Sequence, residues 1–433
     1  GIGWHETRVP TISTSVPRAA FTWITEKMKQ EVSIPLVTTN RINTPEVAED
    51  VLSKGHADVV SMARPFLADA DFVQKAAENK SDEINTCISC NQACLDHVFQ
   101  QKRASCLVNP VACYETELTF AKAKINKRIA VVGAGPAGLA FSVYAAQRGH
   151  KVEILDRASE IGGQFNFAKQ VPGKEEFYET IRYFNKQISL LDIKVHLSTE
   201  ATAEELTSAG FDELVIATGI LPRKLDIEGI DHEKVKSYLN VLRDKQPIGN
   251  NVAIIGAGGI GFDVAVFLAE EHEKSPLIDN KEKWLKSWGV DQSYQNNGAL
   301  LDKSASEEIE KIPRNIHLLQ RKTSKVGAGL GKTTGWIHRA TLQKNGVKML
   351  AGVTYKKIDD NGLTIEINGK EQLLDVDHVI VCAGQESQRS LYQALEESKN
   401  VNQGLHLIGG AKVAAELDAK RAIRQAAELA AVI

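Results

Sequence analysis

The stretch KRIAVVGAGPAGLAFSVYAAQRGHKVEILDR (residues 127–157) combines an apolar strand, a glycine-rich turn, an apolar helix and a second strand. Its glycines, Gly133, Gly135 and Gly138, have the G-x-G-x-x-G spacing that lets the backbone approach a pyrophosphate at the start of a helix. The second strand ends at Asp156, whose carboxylate is placed to accept hydrogen bonds from a ribose. A glycine motif alone can be a structural turn. With strand, helix and acid in order, this one predicts dinucleotide binding.

A second stretch, NVAIIGAGGIGFDVAVFLAE (residues 251–270), repeats this layout. The next clear strand, NIHLLQRK, ends in Arg321 and Lys322 and not in an acid. Cations at this position suit the 2′-phosphate of NADP(H), so they predict NADPH over NADH; the alternative is a solvated basic strand end. The glycines of this motif are Gly256, Gly258 and Gly261.

Two such motifs in one chain, the second nested before a C-terminal helix (LDAKRAIRQAAELAAVI), predict a flavin reductase layout with FAD in the first domain and NADPH in the second. The loop IGGQFNFAKQVPGKEEF (residues 161–177) is expected to wrap the flavin, and the backbone of Ala201 is expected to contact the adenine. The predicted FAD-binding residues are Gly133, Gly135, Ala137, Gly138, Asp156, Gln164, Lys174 and Ala201.

Four of the six cysteines lie within residues 87–106, with the spacing C-x2-C-x3-C-x11-C. Zinc sites prefer two separated pairs, whereas three thiols on one turn and a fourth nearby suit an iron–sulfur cubane. Structural zinc remains the alternative, and a disulfide pair is less favoured. Cys382, inside a strand, is expected to be a small buried apolar residue, and Cys113 has no predicted role. The predicted metal ligands are Cys87, Cys90, Cys94 and Cys106.

Composition excludes several classes of partner. Lys plus Arg number 52 and Asp plus Glu 55, a formal net charge of −3, which gives no strong field for nucleic acid or an anionic membrane. No apolar run approaches the roughly 18 residues of a membrane span, and no signal peptide is visible. Six cysteines in a chain of this length, four of them within twenty residues, do not form the pattern of a disulfide framework, so we expect a reducing cytoplasm.

The first 84 residues predict two strand–helix units and hence a parallel sheet. The strands are expected over residues 34–40 and 57–65, the second of them buried, and the helix over residues 44–55 with Thr44 as its N-cap. Residues 271–313 are polar and predict an irregular insertion.

The chain resembles the bacterial-type NADPH-dependent 2,4-dienoyl-CoA reductases, which belong with the trimethylamine dehydrogenase-like branch of the old yellow enzyme family. The matching stretches span essentially the whole chain: GIGWHE, NRINTPE, SMARPFLAD, INTCISCNQACLDH, CLVNP, GAGPAGL, EIGGQFN, PGKEEFYET, GAGGIGFD, GLGKTTGWIHR and AGQE.

The resemblance implies an α/β chain: the C-terminal piece of a (β/α)8 barrel followed by two nested Rossmann-like dinucleotide-binding domains. A complete barrel takes about 250 residues and eight βα units, so this sequence is expected to lack the first six strands. The implied domains are an FMN-binding barrel remnant (1–84), an iron–sulfur segment and linker (85–125), an FAD domain (126–225 and 372–433) and an NADPH domain (226–371).

Site residues also follow from the resemblance. It places the FMN phosphate at Arg41, Ala63 and Arg64, and it gives His5 a catalytic part as proton donor or as an aid to it. The Tyr partner of His5 would lie upstream of this sequence. Lys412 stands where FAD domains of this layout usually carry Asp, so FAD is expected to bind there through backbone amides or more weakly.

The function implied is reduction of 2,4-dienoyl-CoA in the breakdown of unsaturated fatty acids, with electrons passing from NADPH through FAD, a 4Fe-4S cluster and FMN. We expect these 433 residues alone to bind FAD and NADPH, to hold FMN poorly and not to reduce dienoyl-CoA. Three alternatives stay open. They are a same-branch enoate reductase or amine dehydrogenase, an NADPH-oxidising electron-transfer module like the small subunit of glutamate synthase, and a non-catalytic protein with vestigial sites.

Overall fold

The protein is described from a computed structural model, which defines residues 8–270, 280–301, 314–398, 403–414 and 418–433. The chain forms an N-terminal unit, a cysteine segment and two dinucleotide-binding units. Within these ranges no helix is both long enough and apolar enough to cross a membrane.

The N-terminal unit contains the two predicted strand–helix pairs. Its strands pair in parallel, with Val37 opposite Val59. The helix after the first strand begins as predicted, because the Thr44 hydroxyl accepts a hydrogen bond from the amide of Val47 and Pro45 occupies the first turn. The elements are α1 (Thr22–Lys29), β1 (Val37–Thr39), α2 (Pro45–Ser53), β2 (Val59–Ser61), α3 (Arg64–Ala68) and α4 (Phe72–Ala77), followed by α5 (Leu95–Val98) in the cysteine segment.

The prediction that the second strand is buried was wrong. Val59 in β2 is 50% exposed and Val37 in β1 is 57% exposed. The described sheet here has only these two strands, so neither lies between neighbours as an interior strand of a parallel sheet does.

Two five-stranded parallel sheets form the centres of the two dinucleotide-binding units. Residues 128–222 contain β3 (Arg128–Val132), α6 (Pro136–Gln147), β4 (Lys151–Leu155), α7 (Phe165–Ala168), α8 (Phe177–Leu190), β5 (Lys194–His196), α9 (Ala203–Ser208), β6 (Glu213–Ile216) and β7 (Ile220–Pro222). Residues 235–381 contain β8 (Val235–Ser237), α10 (Tyr238–Leu242), β9 (Asn251–Ile255), α11 (Gly259–Glu270), α12 (Lys281–Ser287), β10 (Asn315–Leu319), α13 (Gly335–Lys344), β11 (Lys348–Leu350), β12 (Thr354–Asp359), β13 (Gly362–Ile367), β14 (Lys370–Leu374) and β15 (His378–Val381). The chain ends with β16 (Gln385–Ser387), α14 (Ser390–Glu397), β17 (Gly404–Leu407), α15 (Gly409–Lys412) and α16 (Ala419–Val432).

The two sheets have matching strand orders, β17-β6-β3-β4-β5 and β8-β15-β9-β10-β11. In each, the strand before the glycine turn lies at the centre, and the strand after the glycine-turn helix lies beside it. The strands β12, β13 and β14 form a separate antiparallel sheet. The predicted pair of nested Rossmann-like units is therefore confirmed.

One predicted boundary is wrong. Residue 372 was expected to begin the return to the FAD domain, but β15 pairs with β9 and β8 inside the second sheet. The crossing back occurs at β16, which pairs antiparallel with β7. The predicted closing helix is α16, whose Ile423, Ala426 and Ala430 are buried in the core of the first unit.

The predicted insertion, residues 271–313, is described only over 280–301. That part contains helix α12 and is not wholly irregular. Trp284 of α12 lies edge-on to Phe21 with ring centroids 6.3 Å apart, and both are buried. The insertion therefore attaches the second dinucleotide unit to the N-terminal unit through apolar contacts.

Candidate redox and nucleotide sites

The first glycine turn has no room for side chains. Gly133 has a φ of +114°, and a Cβ added there would lie 2.4 Å from the backbone oxygen of Ala217. A Cβ at Gly138 would lie 1.8 Å from the oxygen of Gly133. Helix α6 can therefore begin directly against the turn, with Gly135 as its N-cap and Ala137 buried in its first turn. This is the geometry that presents backbone amides to a pyrophosphate.

Asp156 lies beside this turn, as predicted. Its Oδ2 accepts a hydrogen bond from the amide of Ala134 at 2.6 Å, and its Oδ1 accepts one from the amide of Ala158 at 2.7 Å. The backbone oxygen of Asp156 accepts from the amide of Thr199 at 2.9 Å, two residues before Ala201. The acid and the predicted adenine-contacting segment thus meet at the same sheet edge.

The loop after Asp156 covers the first turn. The amide of Gly162 donates to the oxygen of Ala134 at 2.8 Å, which places Gln164 two residues from the turn. Lys174 lies elsewhere: its Nζ donates to both carboxylate oxygens of Asp263, at 2.6 and 2.7 Å. Asp263 belongs to α11, so the Lys174 ammonium joins the two dinucleotide units. Its predicted contact with FAD stays a prediction.

The second glycine turn repeats the frame of the first and is more open. Gly256 has a φ of +106°, and a Cβ at Gly261 would lie 1.8 Å from the oxygen of Gly256. A Cβ at Gly258 would meet nothing within 4 Å. Gln320 directly follows β10 and occupies the position that Asp156 occupies after β4. The exposed Arg321 and Lys322 follow one and two residues later.

The four predicted ligand cysteines line one small cavity. Its wall also includes Arg64, Asn91 and Ala93. Ser89 and Asn91 have φ values of 52° and 62°, and these left-handed residues turn the backbone between the first three thiols. The cysteines on the wall are Cys87, Cys90, Cys94 and Cys106.

Burial favours the protonated form of three of these thiols. Burial raises the pKa of the Cys90 and Cys94 thiols. Burial and the neighbouring Cys87 raise the pKa of Cys106 to about 12. Thiols with raised pKa values become thiolate ligands when a positive centre replaces their protons.

Within the described ranges, no group of three or more His, Cys, Asp or Glu side chains is arranged around a single metal-ion position. A tetrahedral zinc ion with Zn–S bonds near 2.3 Å draws its sulfur atoms to about 4 Å from one another. Four thiols lining one cavity are the donor set that a 4Fe-4S cluster uses. The described side chains do not form a metal site as they stand, so ligation of zinc or of a cluster by these cysteines stays a prediction.

The predicted FMN-phosphate residues lie against the cysteine segment. The guanidinium of Arg41 is fully buried and donates to the oxygen of Val16, to the Ser89 hydroxyl and to the carboxylate of Glu176. Its two remaining N–H groups are what it could offer a phosphate. Ala63 is the N-cap residue of α3, at the carboxyl end of β2, where barrels bind phosphates. The phosphate contacts stay a prediction.

A buried charge network at Glu176 was not predicted. Its carboxylate, 4% exposed, accepts hydrogen bonds from Arg18, Arg41 and Asn43. Burial alone would raise the pKa of Glu176, but the charges of Arg41 and Arg18 lower it to about 2. Asn43 also donates to the backbone oxygen of Cys87 at 2.9 Å. The network therefore joins the N-terminal unit, the cysteine segment and the first dinucleotide unit.

A second unpredicted contact joins the cysteine segment to the other dinucleotide unit. Asp96, which is buried, accepts hydrogen bonds from the amide and hydroxyl of Thr333, at 3.0 and 2.8 Å. Lys332 donates to the backbone oxygen of Phe99. The sequence signal was the stretch GLGKTTGWIHR, which matched the family without an assigned role.

The remaining predicted residues are placed as follows. His5 lies outside the described residues. Lys412 is exposed at the end of α15, and its backbone oxygen accepts a hydrogen bond from Arg389. Cys382 is buried, as predicted, and Cys113 is exposed.

The chain belongs to the pyridine nucleotide-disulphide oxidoreductase family, whose family model matches residues 127–408. Residues 1–83 match the NADH:flavin oxidoreductase / NADH oxidase family. These matches confirm the predicted fold class. They also support binding of FMN by the N-terminal unit and of FAD and a nicotinamide nucleotide by the units that follow.

Three relatives illustrate the breadth of the branch. The chain is 36% identical over 398 residues to the metal reductase of Desulforamulus reducens, covering 91% of this chain and 58% of the relative. It is 28% identical over 372 residues to the cinnamate reductase of Clostridium sporogenes, covering 85% of this chain and 49% of the relative. The structure of a 2-naphthoyl-CoA reductase in complex with 2-naphthoyl-CoA matches with a TM-score of 0.86 and 28% identity, over 100% of this chain and 59% of that one.

The chain thus spans between about half and three-fifths of the length of these relatives. The predicted resemblance is confirmed at the level of the family: the chain is part of the flavin-dependent oxidoreductases of the old yellow enzyme and dienoyl-CoA reductase branch. The relatives differ in the substrates for which they are named, so the choice of substrate rests on the proposal below.

Proposed function

We propose that the chain carries the NADPH-oxidising part of a reductase that uses FAD, a 4Fe-4S cluster and FMN, and whose acceptor is a 2,4-dienoyl-CoA thioester. The observation that carries this proposal is the position of the cysteine cavity. It lies between the N-terminal unit, which matches an FMN family, and the first dinucleotide unit, which has the FAD-type motif.

Contacts on both sides of the cavity support this order. Arg64 of the N-terminal unit forms part of the cavity wall. Cys87 belongs to the same buried core as Ile129 and Leu139 of the first dinucleotide unit, and Cys90 and Cys106 pack against that core. A redox centre here would be adjacent to both flavin-type units, as a one-electron relay requires.

The two glycine turns support different roles for their nucleotides. The first turn is covered by two glycine-containing segments. A Cβ added at Gly163 would lie 2.9 Å from the Cα of Gly135, and a Cβ added at Gly409 would lie 2.7 Å from the Cβ of Ala137. The second is open at Gly258 and Gly259. A covered site suits FAD, which stays bound through turnover. An open site bordered by Arg321 and Lys322 suits NADPH, which must exchange.

The protein residues bind, orient and exclude water, while the flavins, cluster and nicotinamide supply hydride and single-electron transfer when bound. Asp156 and the first turn would hold the FAD ribose and pyrophosphate. The four cysteines would hold the cluster as thiolates, releasing their protons on assembly. Arg41 and Asn43, anchored by Glu176, fix the backbone that presents Cys87 and Cys90.

The names of two relatives support a conjugated acid or thioester as the acceptor, since one reduces cinnamate and the other 2-naphthoyl-CoA. A second candidate follows from the 36% identity to a metal reductase. In that case electrons from NADPH would leave through the cluster to an external metal complex, and no organic substrate would be needed.

An anaerobic reduction experiment tests the electron relay that both proposals share. The purified chain is mixed with NADPH, and flavin absorbance and the electron paramagnetic resonance (EPR) signal of a reduced cluster are followed. We expect flavin bleaching, then the cluster signal, then steady NADPH oxidation on adding a soluble ferric complex. We expect no oxidation by 2,4-dienoyl-CoA from these residues alone. Absence of both flavin and cluster reduction would overturn the relay. Dienoyl-CoA reduction by this chain alone would show that its barrel strands suffice for FMN and substrate.

A further inference from the structure

The side chain of Asn91 has an unused hydrogen-bond donor at the cysteine cavity. Asn91 is 1% exposed, lies between Cys90 and Cys94 in the chain, and forms part of the cavity wall. Its Nδ2 has no hydrogen-bond partner among the described residues. A buried, unpaired N–H costs about 1 to 3 kcal/mol, so a buried amide in this state calls for an acceptor.

Arg64 fixes which way this amide points. The Nη1 of Arg64 donates to Oδ1 of Asn91 at 2.6 Å and to the oxygen of Ile12 at 2.8 Å. A guanidinium has no acceptor atoms, so the atom facing it must be the amide oxygen. The NH2 group of Asn91 is then held away from Arg64, and reversing the amide would place two donors against each other.

The backbone at Asn91 also favours this residue type. Its φ of 62° lies in the left-handed region, which Asn adopts more readily than most residues other than Gly. The backbone oxygen of Asn91 accepts from the amide of Asp96 at 3.0 Å, which closes the turn that contains Cys94 at the start of α5. Both the backbone and the side chain of Asn91 are therefore held in place by hydrogen bonds.

We propose that Asn91 donates a hydrogen bond from Nδ2 to a sulfur atom of the cluster held by the four cysteines, and that Arg64 is the positioning residue that aims this donor. The inference rests on the proposed function, because it requires the cluster. Hydrogen bonds to sulfur and nearby positive charge both stabilise the more negative, reduced cluster. Removing them lowers the midpoint potential.

Two substitutions at position 91 test the donor. Asn91→Asp keeps the shape and the acceptor for Arg64 but removes the N–H groups, and Asn91→Gly removes them without adding charge while tolerating the positive φ. The matched control is Gln92→Glu, which makes the same amide-to-acid change one residue away at an exposed position. Arg64→Gln tests the positioning role, and Arg64→Lys, which keeps charge and one donor, is the rescue variant.

The measurement is an EPR-monitored redox titration of the anaerobically purified full chain. At the wild-type midpoint potential, we expect the ratio of reduced to oxidised cluster to fall about tenfold in Asn91→Asp, equivalent to about 59 mV for one electron. Asn91→Gly and Arg64→Gln should shift in the same direction, Arg64→Lys should recover most of the change, and Gln92→Glu should match the wild type.

Unchanged potentials in Asn91→Gly and Arg64→Gln, with the cluster intact, would overturn the inference and leave the proposed function standing. If Asn91→Asp fails to assemble a cluster, the midpoint potentials of Asn91→Gly and Arg64→Gln decide: lower values than the wild type support the inference, and unchanged values overturn it. A wild-type chain with no EPR-active cluster after reduction would instead overturn the proposed function itself.

Discussion

The two glycine turns are built on the same backbone frame but differ in charge and in access. In each, the amide of the first glycine donates to the last residue of the neighbouring strand, Gly133 to Leu155 at 2.8 Å and Gly256 to Leu319 at 3.0 Å. The third glycine then packs against the first. After the neighbouring strand, one unit has Asp156 and the other has Arg321 and Lys322.

Under the proposed function, this comparison indicates how a repeated fold would bind two different nucleotides. The frame supplies the pyrophosphate-binding turn in both cases, so it cannot distinguish FAD from NADPH. The distinction comes from the residue after the second strand and from what covers the turn. An acid under a closed loop favours a resident cofactor with a free ribose, whereas cations beside an open turn favour an exchanging, 2′-phosphorylated one.

Substitution of the third glycine in either G-x-G-x-x-G motif has the largest expected effect. A methyl group at Gly138 or Gly261 would meet a backbone oxygen at 1.8 Å, so the helix must move away from the turn. We expect Gly138→Ala to be purified without FAD. We expect Gly261→Ala to keep FAD and lose at least about 100-fold in kcat/KM for NADPH, since small misplacements at such sites cost this much. Flavin content and NADPH oxidation are the measurements. Loss of FAD in both variants would show that the two turns are not independent.

The first dinucleotide unit is attached to the N-terminal unit through the charged Glu176 network, and the second through the apolar contact of Trp284 with Phe21. Only the first attachment should depend on pH. Glu176→Gln leaves the fully buried Arg41 without its carboxylate partner, while Arg18 keeps Glu179. We expect this substitution to lower the free energy of unfolding by about 3 kcal/mol at pH 7. The pKa of Glu176 is about 2 in the folded state, below its unfolded value near 4.3. The stabilisation is therefore fully present above that unfolded value and is lost as the pH falls toward 2.

Denaturant unfolding of wild type and Glu176→Gln between pH 3 and pH 7 measures this effect. Glu179→Gln is the matched control, because Glu179 also pairs with Arg18 but is 23% exposed, and we expect at most about 1 kcal/mol from it. A wild-type advantage that is constant over the whole pH range would mean that Glu176 does not act through its charge.

The cations after β10 should set nucleotide preference. Replacing Arg321 and Lys322 by Ala is expected to raise KM for NADPH about tenfold for each charge removed and to leave KM for NADH nearly unchanged. Lys325→Ala, an exposed lysine of the same loop, is the control. Equal losses with both nucleotides would assign the two cations to general electrostatic attraction and not to the 2′-phosphate.

The smallest expected effect is at the Lys174–Asp263 pair between the units. Both side chains are partly exposed, at 20% and 17%, so a double-mutant cycle with Lys174→Met and Asp263→Asn should give a coupling of at most about 1 kcal/mol. If Lys174 contacts FAD, as its sequence position predicted, Lys174→Met will lower FAD affinity while Asp263→Asn will not. Equal FAD content in both variants would assign Lys174 to the interface alone.

The features that the sequence predicted correctly are those set by residues close together in the chain. The glycine turns, the helices that follow them, the Thr44 cap and the grouping of four thiols each depend on residues close together in the chain. Glu176 was missed because its partners Arg18 and Arg41 are far away in sequence, and a charged residue in PGKEEFYET looks like any solvated helix start. The exposure of β1 and β2 was missed because an apolar pattern reports what a strand can bury, not which neighbours cover it. The placement of β15 depends on which strands it pairs with. Its stretch DHVIVCAG is so similar to DELVIATG, which contains β6, that the sequence alone does not assign it to one of the two sheets.

The most direct test of the central claim is the cofactor content of the anaerobically purified chain, measured as iron, acid-labile sulfide, zinc and flavin. The account predicts about four iron and four sulfide per chain together with one FAD, as a single 4Fe-4S cluster beside a flavin domain requires. Zinc without sulfide would contradict it and would make the four cysteines a structural metal site in a flavin and NADPH module.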